Sequence, residues 1–301
     1  MSKYNVDLDY AMPLIDISKE ELNEIITEAD KIISENKENP KELAVAYLKK
    51  AQCLYKIEDC DILKMEYNHP YLPGMGFSFN IDDKQIVPKM KRLLEKALEL
   101  SPEMPEALKW LGTIYGGNKG HIEDAINLLT RAIQIKPDYA AAFNNRSCIL
   151  SKIDEENIKK AIDDLSEAIR IRPFDAFYYT NRANCYSNLS MHEKVIEDLS
   201  YAINCSSDAY KKINRVFLER GQRYMELKEY DKAIDDFSES LIVEMDHADT
   251  LIMRAKAYYL ADKKDKAKAD IEEYLNRKRK LVYNEGREEI FKQIGVMPEE
   301  I

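Results

Sequence analysis

The chain has 301 residues, of which 33% are charged and 45% are hydrophobic, and it contains only 9 glycines and 10 prolines. This balance is typical of a helical globular protein and excludes a collagen-like or low-complexity chain. The net charge of −10 argues against a general nucleic-acid binder, which usually presents a basic face.

The N-terminal stretch 1–17 lacks a basic region followed by an apolar one, so it does not resemble a secretion signal. Three aspartates interrupt its apolar residues, and no run of about 18 uncharged apolar residues occurs in the sequence. The five cysteines are scattered and odd in number, which indicates reduced thiols. We therefore expect a cytoplasmic protein without a membrane span. The tail 1–17 could also dock in a groove of its own chain or of a neighbour.

A helix-start pattern follows this tail. Ser18 is a suitable N-cap, and Glu21 lies three residues later, as in a capping box. The pattern predicts an N-terminal capping helix over 18–36, followed by a helical array over 40–277.

The first part of the array is interrupted. A helical pattern begins at Ala44, stops at about 58–85 and resumes at Met90. The interrupting segment is rich in proline, glycine and aromatic residues, which predicts a non-helical insertion. Such an insertion either folds over a binding surface near Trp110 or packs on the outside of the array.

One pattern then recurs five times, at intervals of 35, 36, 38 and 34 residues. The first segment of each copy has a small residue at a fixed place: Gly112, Ser147, Ala183, Gly221 and Ala255. The second segment repeats its own landmark at intervals of 36, 34, 38 and 34 residues: Ala125, Ala161, Val195, Ala233 and Ala267. Small side chains let paired helices approach closely. Two landmarks that recur together, 12 to 14 residues apart in every copy, therefore predict an array of helix pairs.

This pattern resembles the tetratricopeptide repeat family, whose unit is a helix–turn–helix that ends near a proline. The family's positions in the clearest copy are Leu108, Leu111, Gly112, Tyr115, Ala125, Leu129, Ala132 and Pro137. With the interrupted copy, the resemblance covers about six repeats. It implies an all-α, right-handed superhelical solenoid of antiparallel helix pairs with capping helices at both ends, the second of them within 278–301.

The resemblance also implies that the first helices line a concave groove for a partner polypeptide. The candidate groove residues carried over from the family are Lys109, Trp110, Asn144, Asn145, Phe177, Asn181, Asn184 and Arg215, with Thr113, Cys148, Thr180, Glu219, Gln222, Asp249, Met253 and Lys256 at further groove positions. Asn145 and Asn181 are either hydrogen-bonding groups for a peptide backbone or ordinary polar residues. Trp110 is either an anchor for a partner side chain or a residue that the insertion covers.

Two positions change character together from copy to copy. Four copies have arginine in the first helix and aspartate in the second, in the combinations Arg146 and Asp164, Arg182 and Asp198, Arg220 and Asp236, and Arg254 and Asp270. The copy that begins near residue 105 has Leu111 and Leu128 instead. This covariation predicts structural ion pairs between the paired helices, rather than a basic surface for an acidic peptide.

No catalytic or metal-binding motif is recognisable. The four histidines are far apart, and none has a second ligand at metal spacing. We therefore expect no catalytic residues, no metal site and no cofactor. The sequence predicts an adaptor or scaffold that binds another protein or peptide, without nucleic-acid or membrane partners. The alternative is an assembly factor that self-associates through its ends or its convex face as a homo-oligomer.

Overall fold

The structure, a computed structural model, describes residues 18–35, 38–65, 86–117, 119–205, 214–243 and 248–278. Within these ranges the chain forms thirteen α-helices and one short 3-10 helix, and no strand occurs in them. No helix in the described ranges is long and apolar enough to cross a membrane. The predicted all-helical class is confirmed.

The described residues divide into two compact units, one ending at Pro173 and the other beginning at Phe174. The first unit contains seven helices, with a 3-10 helix at Lys119–His121 before the fifth. Their bounds are α1 Lys19–Glu35, α2 Pro40–Met65, α3 Ile86–Leu100, α4 Pro105–Gly116, α5 Ile122–Ile135, α6 Ala140–Leu150 and α7 Glu155–Ile171.

The second unit contains the other six helices. Their bounds are α8 Ala176–Asn188, α9 His192–Cys205, α10 Asn214–Glu226, α11 Tyr230–Val243, α12 Ala248–Leu260 and α13 Lys264–Lys278.

The helices pack as consecutive pairs in both units. In the first unit α2 packs on α3, α4 on α5 and α6 on α7, and α1 covers α2. In the second unit the pairs are α8 with α9, α10 with α11 and α12 with α13. Within each unit the second helix of a pair also packs on the first helix of the next. These six pairs correspond to the predicted repeats.

Local sequence signals begin several helices. The Glu21 backbone N–H donates to Ser18 Oγ at 3.1 Å, and the Ser18 N–H donates to Glu21 Oε2 at 2.8 Å. The predicted capping box is therefore present, and it satisfies two donors that a helix start leaves without intrahelical partners. Asp154 caps α7 in a similar way, since its carboxylate accepts from the Asn157 N–H at 2.8 Å.

The small landmark residues lie where paired helices touch. A Cβ atom added to Gly112 would lie 2.9 Å from Leu129 Cγ and 3.2 Å from the Ala125 carbonyl oxygen. One added to Gly221 would lie 2.7 Å from Phe237 Cε1. These distances are below ordinary van der Waals contact, so the copies that carry glycine use it to bring the two helices together.

The structure corrects one boundary and leaves others outside the described residues. Helix α2 continues to Met65, so the segment 58–65, predicted to belong to the insertion, is helical. The reason is local: between Pro40, where the helix begins, and Pro70 the sequence contains no proline or glycine that would end the helix. The rest of the insertion, the tail 1–17 and the predicted C-terminal cap beyond Lys278 lie outside the described residues.

Candidate functional site

The eight candidate groove residues lie on four first helices, α4, α6, α8 and α10. Five of them have exposed fractions between 2% and 6%: Lys109, Trp110, Asn144, Asn145 and Asn181. Phe177 and Asn184 are half-buried, and the Arg215 side chain lies outside the described residues. Contacts inside the fold cover the five buried residues, and a role in binding a partner stays a prediction for all eight.

Trp110 is part of the core of the first unit. Its ring packs edge-on against Tyr55 of α2, with centroids 5.0 Å apart and an interplanar angle of 62°. The Lys109 Nζ atom lies 4.2 Å from the centroid of the indole ring, which is a cation–π distance. Trp110 is thus buried against α2 and joins it to α4, whereas the part of the insertion beyond Met65, the cover considered in the sequence analysis, lies outside the described residues.

The asparagines of α6 form a buried hydrogen-bond chain with α4. Asn145 Nδ2 donates to Thr113 Oγ1 at 2.8 Å, and the Thr113 hydroxyl donates to the Lys109 carbonyl oxygen at 2.7 Å. Asn144 Nδ2 donates to Asn145 Oδ1 at 3.3 Å. Two consecutive first helices are therefore connected through candidate groove residues. The Asn145 amide therefore has hydrogen-bond partners within the protein, as buried amides need.

The corresponding face of the second unit is more accessible. We use the term second-unit face for six side chains on the first helices α8, α10 and α12: Phe177, Asn184, Glu219, Gln222, Met253 and Lys256. Lys256 is exposed and the others are half-buried. Gln222 Nε2 donates to Met253 Sδ at 3.5 Å, so α10 and α12 meet on this face. It combines an aromatic ring and a thioether with amides and charges, a mixture suited to non-covalent recognition.

All four predicted Arg–Asp pairs form, each through two hydrogen bonds. Arg182 Nε and Nη2 donate to the two Asp198 carboxylate oxygens at 2.9 and 2.7 Å. The distances in the other three pairs lie between 2.6 and 2.8 Å. The aspartate side chains are 3–8% exposed and the arginines 18–19%. Each pair joins the two helices of one repeat, so these charges are structural, as predicted.

Burial and hydrogen bonding act in opposite directions on the pKa of three of these carboxylates, Asp164, Asp198 and Asp236. Burial raises the pKa of Asp198, and the hydrogen bonds from Arg182 oppose that rise; the same applies to Asp164 and Asp236 with their arginines. The hydrogen bond to Asp198 raises the pKa of Arg182, which therefore stays charged. Each of these three carboxylates thus needs the paired guanidinium in order to stay ionised in its buried position.

The described residues supply little for covalent or metal chemistry. Burial raises the pKa of the Cys53 thiol to about 12 and that of Cys148 to about 11, so both are unreactive at neutral pH. Among the described residues no three histidine, cysteine, aspartate or glutamate side chains group as metal ligands.

Comparison with protein families identifies a repeat within the first unit. The tetratricopeptide repeat profile matches residues 105–139, which comprise helices α4 and α5 and the turn that follows. No relative among curated proteins matches the sequence.

Solved structures share the fold at low sequence identity. The C-terminal part of a TPR repeat-containing protein from Cytophaga hutchinsonii is 14% identical, with a TM-score of 0.61 over 89% of this chain and 94% of that one. PilF of Pseudomonas aeruginosa is 16% identical, with a TM-score of 0.57 over 84% and 99% of the two chains. YrrB, a TPR protein with an unusual peptide-binding site, is 19% identical, with a TM-score of 0.50 over 74% and 95%.

Proposed function

The chain is a member of the tetratricopeptide repeat family, and from this premise we propose that it is an adaptor or scaffold that binds an extended segment of another polypeptide. Tetratricopeptide repeats serve in general as protein–protein interaction modules and not as catalysts. Stacked helix pairs present one row of first helices along the array, which gives a partner several contact points in succession.

The accessibility of the second-unit face carries this proposal. Trp110 and Asn145 occupy one repeat position as buried residues in α4 and α6. The same position is half-buried in α10 and α12, where it is occupied by Glu219 and Met253, and Gln222 lies half-buried beside them. A partner needs side chains that it can reach, and a half-buried thioether beside amides offers both apolar contact and hydrogen bonds. The peptide-binding site of YrrB, a protein of similar fold, is consistent with such a role.

Site-specific photo-crosslinking tests this function. A photoreactive residue placed at Gln222 or Met253 of the full chain should crosslink to a partner in lysates of the cells that make the protein. The matched controls carry the same photoreactive residue at Glu197 or Asp235, exposed positions on the second helices α9 and α11. The captured partner is then produced in pure form for affinity measurements.

Affinity for that purified partner decides the outcome. Met253→Ala together with Gln222→Ala should weaken binding at least about ten-fold, because both removed side chains contribute contact area on this face. Glu197→Ala together with Asp235→Ala should leave the affinity unchanged. Equal crosslinking at the face and control positions, or unchanged affinity in the first variant, would contradict the proposal.

Self-association is a second candidate that one observation favours. Two large apolar side chains of the second unit are strongly exposed, Phe174 at 82% and Ile242 at 72%. Exposed apolar side chains are frequent in contacts between subunits. Sedimentation velocity should then show oligomers whose fraction grows with concentration and falls in a Phe174→Ser, Ile242→Ser variant. A monomer at all concentrations would exclude this candidate.

A further inference from the structure

Three of the paired arginines use a third nitrogen outside their own repeat. Arg146 Nη1 donates to Thr130 Oγ1 at 2.9 Å, Arg220 Nη1 to Ser200 Oγ at 3.0 Å, and Arg254 Nη1 to Ser238 Oγ at 3.1 Å. Each hydroxyl lies on the second helix of the preceding pair, α5, α9 or α11. These bridging arginines therefore contact three helices and two consecutive pairs.

The serine hydroxyls are oriented to accept. Ser200 Oγ donates its single proton to the Ile196 carbonyl oxygen at 2.7 Å, and Ser238 Oγ donates to that of Ile234 at 2.7 Å. Because that proton is already engaged, only the lone pairs of the hydroxyl remain to face the arginine. The contact is thus a charge-assisted hydrogen bond with one available direction.

The bridging arginines are held from two sides. Two of the five guanidinium N–H groups serve the buried aspartate of the same pair, and another serves the hydroxyl of the preceding pair. With the arginine side chains 18–19% exposed, water has restricted access to these bonds. A planar guanidinium cannot rotate toward one partner without straining its bonds to the other.

We propose that Thr130, Ser200 and Ser238 convert three of the structural Arg–Asp pairs into a conformational device, which joins the helix pairs α6/α7, α10/α11 and α12/α13 to the preceding pair of the same unit. The aspartate fixes the arginine within its own helix pair, and the hydroxyl bonds the fixed arginine to the preceding pair. In an array whose stability depends on nearest-neighbour interfaces, such contacts control how readily one pair separates from the next. This inference is independent of what the chain binds.

Hydrogen exchange of the full chain, measured by mass spectrometry, tests the device at Ser238. This serine lies on α11, but its proposed effect is on α12 and α13, which Arg254 and Asp270 hold together. Ser238→Ala should accelerate exchange of the α12 and α13 amides about 5- to 10-fold. In the variant, α12 and α13 can separate from α11 without breaking the hydrogen bond between Arg254 and residue 238. If Ser238 served only its own pair, α12 and α13 would open as before.

Ser240→Ala is the matched control, because it removes a hydroxyl from the same helix two residues away. In the described part of the chain Ser240 Oγ has no hydrogen-bond partner, so this change should not accelerate exchange in α12 and α13. The inference would be overturned by unchanged α12 and α13 exchange in Ser238→Ala, or by equal acceleration in both variants. Faster exchange in Ser238→Ala alone would support it.

Discussion

At the scale of single residues, Ser240 departs from the pattern of its repeat position. The three preceding pairs carry Ala132, Ala168 and Ala202 there, and all four side chains are fully buried. Within the described chain, the Ser240 hydroxyl makes no hydrogen bond. A buried hydroxyl without a partner loses its bonds to water and gains nothing in return.

Replacing this serine with the alanine of the other copies should therefore stabilise the protein. We expect Ser240→Ala to raise the free energy of unfolding by about 1 kcal/mol, since it removes an unpaired polar group and improves helix propensity. Urea denaturation followed by circular dichroism measures the change as a higher midpoint at constant slope. Ser238→Ala, which removes a hydrogen-bonded hydroxyl, should shift the midpoint the other way. A lower midpoint for Ser240→Ala would contradict the prediction.

The buried Cys53 and the half-buried Cys148 give a prediction that depends on the pKa of their thiols. Burial disfavours the thiolate, so Cys53 and Cys148 remain protonated until the pH approaches about 12 and about 11, respectively. At pH 8 iodoacetamide should modify both at least about 100-fold more slowly than in denaturant, because only the thiolate reacts. Peptide mass spectrometry of timed samples measures both rates. Equal rates in the native and the denatured protein would show that the two thiols are accessible and ionised.

At the scale of helices, the Arg–Asp pairs and the Leu111–Leu128 combination are two solutions for the same place in the repeat. Both leucines pack in apolar clusters of the first unit, with Leu111 only 5% exposed. A buried ion pair can be replaced by packed apolar residues at little cost, whereas removal of one partner leaves an uncompensated charge. The chain itself thus contains the control for an ion-pair experiment.

The double variant Arg182→Leu, Asp198→Leu recreates the leucine combination in the pair α8 and α9. Each single variant should lower the free energy of unfolding by about 3–5 kcal/mol, while the double variant should stay within about 2 kcal/mol of the wild type. The resulting coupling, measured in a double-mutant cycle by urea denaturation, should far exceed the roughly 0.5 kcal/mol of independent sites. Additive single effects would show that the two side chains do not act as a pair.

The ion pairs also show what the sequence could predict. Their covariation occurs within one chain, so Arg182 and Asp198 were recognisable as partners without a structure. Ser200 and Ser238 each follow a paired aspartate by two residues, so their regular spacing was visible in the sequence. Their hydrogen bonds to the arginine of the next pair could not be predicted, because these depend on which helices face each other. The burial of Trp110 was less accessible to prediction, because Tyr55 reaches it from a helix distant in the sequence. The end of helix α2 was predicted too early. The proline and glycine residues of the insertion occur only after residue 69, so the segment 58–65, which contains neither, was wrongly assigned to it.

At the scale of the whole molecule, the division into two compact units bears on how the chain unfolds. Repeat arrays gain their stability from contacts between neighbouring pairs, and they open in contiguous cooperative blocks. Each unit contains its own ion pairs: Arg146 with Asp164 in the first, and Arg220 with Asp236 among those in the second. The same substitution can therefore be made in either unit.

Asp236→Ala leaves Arg220 buried without its carboxylate, which should destabilise the second unit by about 3–5 kcal/mol. If the units are separate cooperative blocks, hydrogen exchange should accelerate strongly in α8 to α13 and change less than about two-fold in α1 to α7. Asp164→Ala should produce the reverse pattern. Both variants remove an aspartate carboxylate from the same repeat position, so the substitutions are chemically matched. A difference between the two exchange maps therefore reports which helices unfold together. Uniform acceleration over all thirteen described helices in both variants would instead mean that the array opens as one block.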